Sequence, residues 1–281
     1  MTPTGAPARL AVLGSPIAHS LSPALHRAAY EVLGLDWSYD AVEVASGELA
    51  GFLGGLDSSW RGLSLTMPLK REVLPLLATR SPVVDRVGAA NTVLHVAGML
   101  RGFNTDVPGF VAAFREAGVE SLARVEVLGA GATAGSAIAA VGALGATGAL
   151  VRARDPSRAD GLRDIAARSG VELAVRSWDE PVPSDDPPDA VISTLPGDAD
   201  AEPGYPDGVR RSAVLFDVAY DPWPTPRARA WAASGGTVID GRQLLLHQAI
   251  GQVRIFVTGA EDGVLERENQ VLTAMRSAIG G

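Results

Sequence analysis

Two hydrophobic periods alternate along most of this chain. Apolar runs that suit strands, such as Arg9 to Leu13 and Gly62 to Thr66, are followed by stretches of helical period, such as Leu25 to Leu33. This alternation predicts an α/β protein with parallel layers of strands and helices. One low-complexity patch, Pro181 to Asp189, is predicted to be a surface loop because proline and aspartate dominate it.

The clearest local pattern is the stretch from Val125 to Val151. A strand-like segment ends at Gly129, a helix of small residues follows Gly131, and a second strand-like segment follows the helix. With Ala134 in the third place, the turn is G-x-G-x-x-A, a variant of the dinucleotide fingerprint in which N–H groups of a helix N-terminus bind phosphate. The turn residues predicted to contact a dinucleotide are Gly129, Ala130, Gly131, Ala132 and Thr133.

Two other interpretations of this stretch are open. No residue from Val127 to Val151 is charged, as in a transmembrane helix, and a glycine-rich turn can also occur without a ligand. Gly142, Gly145 and Gly148 interrupt the second half of the stretch and so disfavour a membrane span. A strand before the turn and a helix after it favour the dinucleotide site.

Composition narrows the choice of partners. The chain has 281 residues, enough for two domains, and its net charge of −8 disfavours nucleic acid or an anionic membrane as the main partner. The absence of cysteine excludes disulfides, thiolate metal sites and cysteine nucleophiles. The four histidines have no metal-ligand spacing, so no metal site is predicted. No charged-then-apolar leader opens the chain, and we expect a cytoplasmic protein.

Polar side chains follow the first strands of the amino-terminal half. Ser20 and Ser22 lie in the loop after the first strand, and Thr66 ends a later one. Lys70 falls in the first helical turn after Pro68, near the positive end of the helix dipole, where structure alone would avoid a lysine. Ser22 could instead be the helix cap, and Lys70 could be a solvated surface residue.

A hairpin adds an amide and a carboxylate to this set. Two apolar runs, at 93–96 and 99–103, are joined by Ala-Gly, which predicts antiparallel strands. Closing the hairpin brings Asn91 beside the segment that ends at Asp106. Considered singly, Asn91 could be a turn residue, and Asp106 could be the cap of a helix at 108–117. Considered with the polar strand ends, they predict a polar cleft.

Several motifs occur together in one order, and in that order the chain resembles the shikimate dehydrogenases. The likeness covers nearly the entire chain and is greatest to actinobacterial, NADP-dependent members. Three segments depart from the family pattern: Ser64-Leu65-Thr66 replaces Asn-Val-Thr, Ala132 replaces glycine, and Leu244-Leu245 replaces Met-Leu. The motifs that carry the likeness are GSPIAHSLSP, SLTMPLK, GAANT, NTD, the glycine turn, LFDVAYDPWPTP and GRQLLLHQA.

The resemblance implies the reversible reduction of 3-dehydroshikimate to shikimate, a step toward chorismate and the aromatic amino acids. It implies that Lys70 exchanges a proton with the substrate and that Asp106 serves the same catalytic centre. Hydride transfer itself would be performed by the nicotinamide, which the protein orients. The positions that match substrate-contacting residues of the family are Ser20, Ser22, Thr66, Asn91, Tyr220 and Gln248. Tyr220 could instead pack in the core, and Gln248 could be merely solvated.

Arginines follow the second strand of the fingerprint, where an NAD site would have an acidic residue. Arg152, Arg154 and Arg158 could hold a 2′-phosphate through their forked donors, and Arg154 matches the family's phosphate-contacting position. NADP is therefore the predicted cofactor, although Asp155 could accept a ribose hydroxyl and a solvated helix start is also open. The other predicted cofactor contacts are Ala153, Asp155, Arg158, Val218 and Gly241.

We expect three parts: an α/β substrate domain at 1–106, a Rossmann-type NADP domain at 107–240, and helices at 241–281 that return to the first domain. A small-molecule substrate is the expected partner, with a monomer or a homodimer in solution. Two alternative functions are an NAD-dependent quinate/shikimate dehydrogenase and a catalytically silent NADPH-binding regulatory homologue. The silent homologue would usually lack the lysine or the aspartate, and a folate-type dehydrogenase fits the paired serines less well.

Overall fold

The computed structural model describes residues 7–182, 186–199 and 203–280. The predicted loop at 181–189 therefore lies partly outside the described residues. The chain divides into two compact units, which we call unit 1 (Met1–Thr105 with Leu245–Gly281) and unit 2 (Asp106–Leu244).

Strands and helices alternate along the chain, as the hydrophobic pattern predicts. The strands are β1 Ala8–Gly14, β2 Trp37–Glu43, β3 Trp60–Leu65, β4 Thr79–Arg80, β5 Thr92–Val96, β6 Met99–Phe103, β7 Arg124–Leu128, β8 Gly148–Ala153, β9 Glu172–Ser177, β10 Ala190–Ser193, β11 Val214–Asp217 and β12 Val238–Ile239. The helices are α1 Ser22–Leu33, α2 Leu49–Gly54, α3 Leu69–Glu72, α4 Pro82–Val87, α5 Asp106–Glu116, α6 Ala132–Ala143, α7 Asp160–Arg168, α8 Asp207–Ser212, α9 Pro226–Ala233, α10 Gly241–Thr258 and α11 Glu268–Ala278. Short 3-10 segments occupy Leu74–Leu76 and Pro156–Ala159.

Unit 1 is built on a mixed sheet with strand order β2-β1-β3-β5-β6-β4. β1 is parallel to β2 and β3, whereas β5 is antiparallel to both β3 and β6. The predicted hairpin is confirmed, and its turn residues Ala97 and Gly98 have φ of 51° and 76°, as a two-residue hairpin requires. The purely parallel layer is wrong for this sheet, because a two-residue turn can connect only antiparallel strands.

Both faces of β1 are buried, which explains its continuous apolar sequence. Leu10 and Val12 belong to a core that includes residues of α1, α10 and α11. Ala11 and Leu13 point to the opposite face and belong to a second core, with residues of α2, α3 and α4. The sheet of unit 1 is thus the middle layer between two sets of helices.

Unit 2 is built on a sheet with order β12-β11-β10-β7-β8-β9, in which every pair is parallel. The chain runs outward from β7 to β9 and then returns to β10 on the other side of β7. The strand order therefore reverses between β7 and β10, and ligands of open parallel sheets bind at the carboxyl ends of strands at such a point. The glycine turn Gly129–Gly131 directly follows β7.

The uncharged stretch at 127–151 contains the end of β7, the helix α6 and most of β8. The helix accounts for its low charge, because the residues from Ala134 to Val141 are all buried in unit 2. Within residues 7–182, 186–199 and 203–280, no helix is long and apolar enough to cross a membrane.

A buried ion pair joins two strands of unit 2. The Arg152 side chain is 0% exposed, and its Nε lies 2.9 Å from Oε2 of Glu126. The same carboxylate oxygen accepts a hydrogen bond of 2.6 Å from the Tyr205 hydroxyl. Nη1 of Arg152 also donates to the carbonyl oxygen of Glu180, at 2.9 Å. Both charges are thereby compensated in the interior, and the turn after β9 is tied to β8.

We expect Arg152→Met to lower the free energy of unfolding by about 3 to 5 kcal/mol, because it leaves the Glu126 carboxylate buried without its cation. Arg176, which pairs with Arg152 across β8 and β9, is the matched control. It is 44% exposed and lies 3.8 Å from Glu180, so Arg176→Met should cost less than about 1 kcal/mol. Urea unfolding of both variants measures the difference, and equal losses would contradict the expected role of burial.

Candidate active site

Gly14 brings two of the predicted site segments close together in unit 1. A Cβ on Gly14 would overlap the side chain of Thr66 and lie 2.9 Å from the carbonyl oxygen of Met67. The backbone after β1 can therefore lie directly against the end of β3, where the Thr66 N–H donates to the carbonyl of Leu13 at 2.9 Å. Glycine at this position is a steric requirement of the site.

Of the expectations for Ser20 and Ser22, the structure tests whether Ser22 caps the helix α1. The Ser22 side chain does not cap α1; Ser22 is the first residue of the helix, and its own N–H donates to the Ser20 hydroxyl at 3.3 Å. The interpretation of Ser22 as the cap is wrong, because α1 already begins at Ser22, one residue earlier than that role requires. Ser22 is buried at the start of α1, and Ser20 is half-buried in the loop before it.

Asn91 is the centre of a buried cluster of amides and hydroxyls in unit 1. Its Nδ2 donates to Oγ1 of Thr105 at 2.9 Å and to Oε1 of Gln248 at 3.3 Å. Its Oδ1 accepts from the Thr105 N–H at 2.8 Å and from the Thr92 hydroxyl at 2.9 Å. The prediction that the hairpin brings Asn91 to the segment 104–106 is confirmed at Thr105. Hydrogen bonds therefore hold both the nitrogen and the oxygen of the Asn91 side-chain amide.

Gln252 extends this cluster and was missed by the sequence reasoning. Its Nε2 donates to the carbonyl oxygen of Asn91 at 3.0 Å, and its Oε1 accepts from the Ser64 hydroxyl at 2.8 Å. Gln252 lies one helical turn after Gln248 on α10, so the i, i+4 spacing of two glutamines was the signal available in the sequence. A buried amide needs partners for all of its polar atoms, and the strand ends supply them.

His26 closes the cluster on the side of α1. It is 0% exposed, its ring stacks on Tyr39 with centroids 3.9 Å apart, and its nitrogens face the Tyr30 hydroxyl and Oε1 of Gln252. The amide oxygen can only accept, so Nε2 of His26 carries the proton and Nδ1 accepts from Tyr30. Burial, partly opposed by the bond to Gln252, lowers the pKa of His26 to about 3.

The two predicted catalytic residues lie at helix starts. Lys70 is half-buried in the four-residue helix α3 of unit 1, and its carbonyl oxygen accepts from the Ala90 N–H at 2.8 Å. Asp106 is buried and is the first residue of α5 in unit 2. Because α5 already includes Asp106, its carboxylate lies in the first turn of the helix and not at the cap position.

The glycine turn of unit 2 leaves room for a ligand. Gly129 has φ of +103°, and a Cβ there would lie 2.6 Å from Oγ1 of Thr194. At Gly131, by contrast, a Cβ would meet no atom within 4 Å. Helix α6 starts at Ala132, with Thr133 in its first turn and Gly131 at the N-cap. Glycine has no side chain to accept from the first N–H groups of α6, and within the described residues no side-chain cap is formed there.

The three arginines predicted near the end of β8 differ in their burial. Arg152 is buried in its ion pair, whereas Arg154 and Arg158 are exposed, and Ala153 is buried between them at the end of β8. Asp155 is the cap of the 3-10 segment, and its Oδ1 accepts from the N–H and the hydroxyl of Ser157 at 3.1 and 2.7 Å. These bonds lower the pKa of Asp155 and occupy one of its carboxylate oxygens.

Val218 and Gly241 also meet in unit 2. A Cβ on Gly241 would overlap the backbone of Val218 and lie 2.7 Å from the carbonyl oxygen of Ala219, so only glycine lets α10 start there. Tyr220 lies two residues after Val218 and is half-buried. Burial, together with the charge of Asp221, raises the pKa of its phenol. Among the described residues, no group of histidines and carboxylates is arranged to hold a metal ion.

Comparison with known proteins shows the family of the chain. A family model described as the shikimate dehydrogenase substrate binding domain matches residues 12–93. A Thermus thermophilus protein named shikimate dehydrogenase (NADP(+)) is 37% identical over 97% of this chain and 99% of its own length. The chain belongs to the shikimate dehydrogenase family.

Solved structures of the family extend the likeness to the fold. Mycobacterium tuberculosis shikimate dehydrogenase matches with a TM-score of 0.85 at 38% identity, covering 96% of this chain and 100% of that chain. Quinate dehydrogenase from Corynebacterium glutamicum, solved in complex with NAD, matches with a TM-score of 0.82 at 29% identity, covering 98% and 99%. The predicted fold class, an α/β substrate domain and a Rossmann-type domain, is confirmed for this member of the shikimate dehydrogenase family.

One departure from the family pattern has a structural explanation. Where the shikimate dehydrogenase pattern has asparagine, this chain has Ser64, whose hydroxyl accepts from the Tyr39 hydroxyl at 2.6 Å and donates to Gln252 at 2.8 Å. The long Gln252 side chain thus reaches the short serine and connects it, by a second hydrogen bond, to the carbonyl oxygen of Asn91. Nothing in the structure explains Ala132 or the Leu244-Leu245 pair.

We expect His26 to make the stability of this protein depend on pH. The unfolded imidazole binds a proton below its ordinary pKa of 6.5, whereas the folded one stays neutral down to about 3. Between these two pH values the unfolded state binds more protons than the folded state. The contribution of His26 to the free energy of unfolding therefore falls by up to about 1.4 kcal/mol per pH unit as the pH is lowered.

His26→Gln should therefore make the dependence shallower, as measured by urea unfolding at about pH 7, 6 and 5. The exposed His19 supplies a matched control, because His19→Gln removes an imidazole without touching the buried cluster. An unchanged slope in His26→Gln would show that this histidine is not the group responsible.

Proposed function

We propose that this chain catalyses the NADP-dependent, reversible reduction of 3-dehydroshikimate to shikimate. The observation that carries the proposal is the Asn91 cluster, in which two residues at substrate-contacting positions of the family, Asn91 and Gln248, are joined in unit 1 by a hydrogen bond of 3.3 Å. The end-to-end similarity to proteins named shikimate dehydrogenase (NADP(+)) supports the same reaction.

The substrate is a polyhydroxylated ring acid, and its recognition requires several donors and acceptors at fixed positions. Hydroxyls and amides that are already bonded to one another lose little entropy when they bind such a ring, which favours affinity. The residues that we assign to substrate binding are Ser20, Ser22, Thr66, Asn91, Tyr220 and Gln248.

Lys70 and Asp106 are the proposed catalytic residues. In the reducing direction the Lys70 ammonium gives a proton to the carbonyl oxygen of the substrate, and in the oxidising direction its amine takes the proton back. The Asp106 carboxylate accepts a hydrogen bond from a neighbouring substrate hydroxyl, which orients the ring. The nicotinamide, when bound, supplies or takes the hydride.

The residues present in unit 2 fit an NADP cofactor. Gly131 leaves open space where any other residue would have a Cβ, the first turn of α6 lacks a side-chain cap, and Arg154 and Arg158 are exposed beyond β8. A diphosphate would bind the N–H groups of α6, and a 2′-phosphate would bind the guanidinium of Arg154. The residues that we assign to the cofactor are Gly129, Ala130, Gly131, Ala132, Thr133, Ala153, Arg154, Asp155, Arg158, Val218 and Gly241.

This assignment gives each part of the chain a role. We propose a substrate-binding domain at 1–106, an NADP-binding domain at 107–240, and carboxy-terminal helices at 241–281 that complete the first domain. A monomer or a homodimer in the cytoplasm remains our expectation.

A matrix of initial rates tests the proposed function: shikimate and quinate, each with NADP⁺ and with NAD⁺. We expect the highest kcat/KM for shikimate with NADP⁺. The structural likeness to an NAD-bound quinate dehydrogenase makes quinate with NAD⁺ the specific alternative, and its being the best pair would overturn the proposal. No oxidation of either acid, together with retained NADPH binding, would instead identify a silent regulatory homologue.

Lys70→Ala tests the catalytic assignment. We expect kcat to fall by about 10²- to 10⁴-fold with little change in the dissociation constant for shikimate, because the proton-transfer group is lost and the binding hydroxyls and amides remain. The neighbouring, exposed Arg71 is the matched control, and Arg71→Ala should retain turnover. Unchanged turnover in Lys70→Ala would remove Lys70 from the mechanism.

A further inference from the structure

Trp178 lies beside Arg154 because of the register of two strands in unit 2. β8 and β9 are parallel, and their last pair is Ala153 with Ser177. Arg154 directly follows β8 and Trp178 directly follows β9, so the two residues are neighbours at the same end of the sheet. Cζ of Arg154 lies 6.0 Å from the centroid of the indole ring, within the range of a cation–π interaction.

This contact leaves the hydrogen-bonding groups of Arg154 available. Within the described part of the chain, Arg154 makes no hydrogen bond and no ion pair, and its side chain is exposed. A guanidinium that lies over an aromatic ring is held through its face, whereas its donors point outward in its plane. Arg154 can therefore be positioned by Trp178 and still present a fork of N–H groups to an anion.

The turn that carries Trp178 is itself held firmly. The Ser177 N–H donates to Oε1 of Glu180 at 2.9 Å, and the carbonyl oxygen of Glu180 accepts from the buried Arg152 at 2.9 Å. The Trp178 indole nitrogen is buried and has no acceptor among the described residues. The position of the ring is therefore set by the backbone of this turn, and its contact with a charged group within the described residues is the one with Arg154.

Asp155, the competing acceptor for a ribose hydroxyl, has one of its two carboxylate oxygens engaged. Asp155 uses Oδ1 to cap the 3-10 segment through Ser157, as described above. Of the two exposed guanidinium groups after β8, those of Arg154 and Arg158, the one beside the indole ring is that of Arg154.

We propose that Trp178 is a positioning residue that increases selectivity for NADP over NAD by holding Arg154 in place for the 2′-phosphate. The inference rests on the proposed function, in that it assumes an adenosine 2′-phosphate as the ligand of Arg154. Trp178 acts through Arg154 and has no part in hydride or proton transfer.

Binding of 2′,5′-ADP and 5′-AMP, measured by calorimetry, tests the proposal without catalysis. Trp178→Leu should weaken the binding of 2′,5′-ADP by about two- to fivefold, the usual size of an exposed cation–π interaction, and leave the binding of 5′-AMP unchanged. Trp178→Phe keeps an aromatic face and should restore most of the affinity. In an Arg154→Ala background, Trp178→Leu should have no further effect.

Trp60→Leu is the matched control, because Trp60 packs under Arg9 at 4.4 Å in unit 1, and its removal should not alter the binding of either nucleotide. Equal weakening of 2′,5′-ADP and 5′-AMP, or a full effect of Trp178→Leu in the absence of Arg154, would overturn the role of Trp178. If the unmodified protein itself binds 2′,5′-ADP no better than 5′-AMP, the NADP preference fails instead.

Discussion

The need to pair every buried amide organises unit 1. Asn91 and Gln252 are almost completely buried, and an unpaired amide in such a place would cost about 1 to 3 kcal/mol for each unmet group. Their partners come from β3, the β5–β6 hairpin, α1 and α10, which are distant in sequence. The cluster therefore keeps these elements in a single arrangement, and the same arrangement gives Asn91 and Gln248 fixed positions.

In unit 2 it is buried charges that are paired. Arg152 neutralises Glu126 inside the sheet and, through the carbonyl of Glu180, holds the turn that carries Trp178. Two residues later Arg154 is exposed and free of ion pairs within the described residues. Arg152 thus stabilises the fold and Arg154 is available to a ligand, although only one residue separates them in the sequence. Burial is what separates their roles.

Much of the fold could be predicted because it depends on local chemistry. The hairpin at 92–103 follows from an Ala-Gly turn between two apolar runs, and the β7–α6–β8 unit follows from glycines between strand-like segments. The motifs also indicated the family. The alternative that Ser22 caps α1 is wrong, because the helix follows Leu21 and already includes Ser22, one residue earlier than a cap at Ser22 requires.

By itself, the sequence determined the α/β class, the family and the residue types available for chemistry, since periodicity, glycine turns and ordered motifs act over short distances. Only the tertiary structure decided that Gln252 and His26 support Asn91, that Arg152 faces inward, and that Trp178 lies beside Arg154. These are contacts between residues far apart in the chain, or they depend on the register of neighbouring strands. Register and burial are settled when whole elements pack, and no local pattern encodes them.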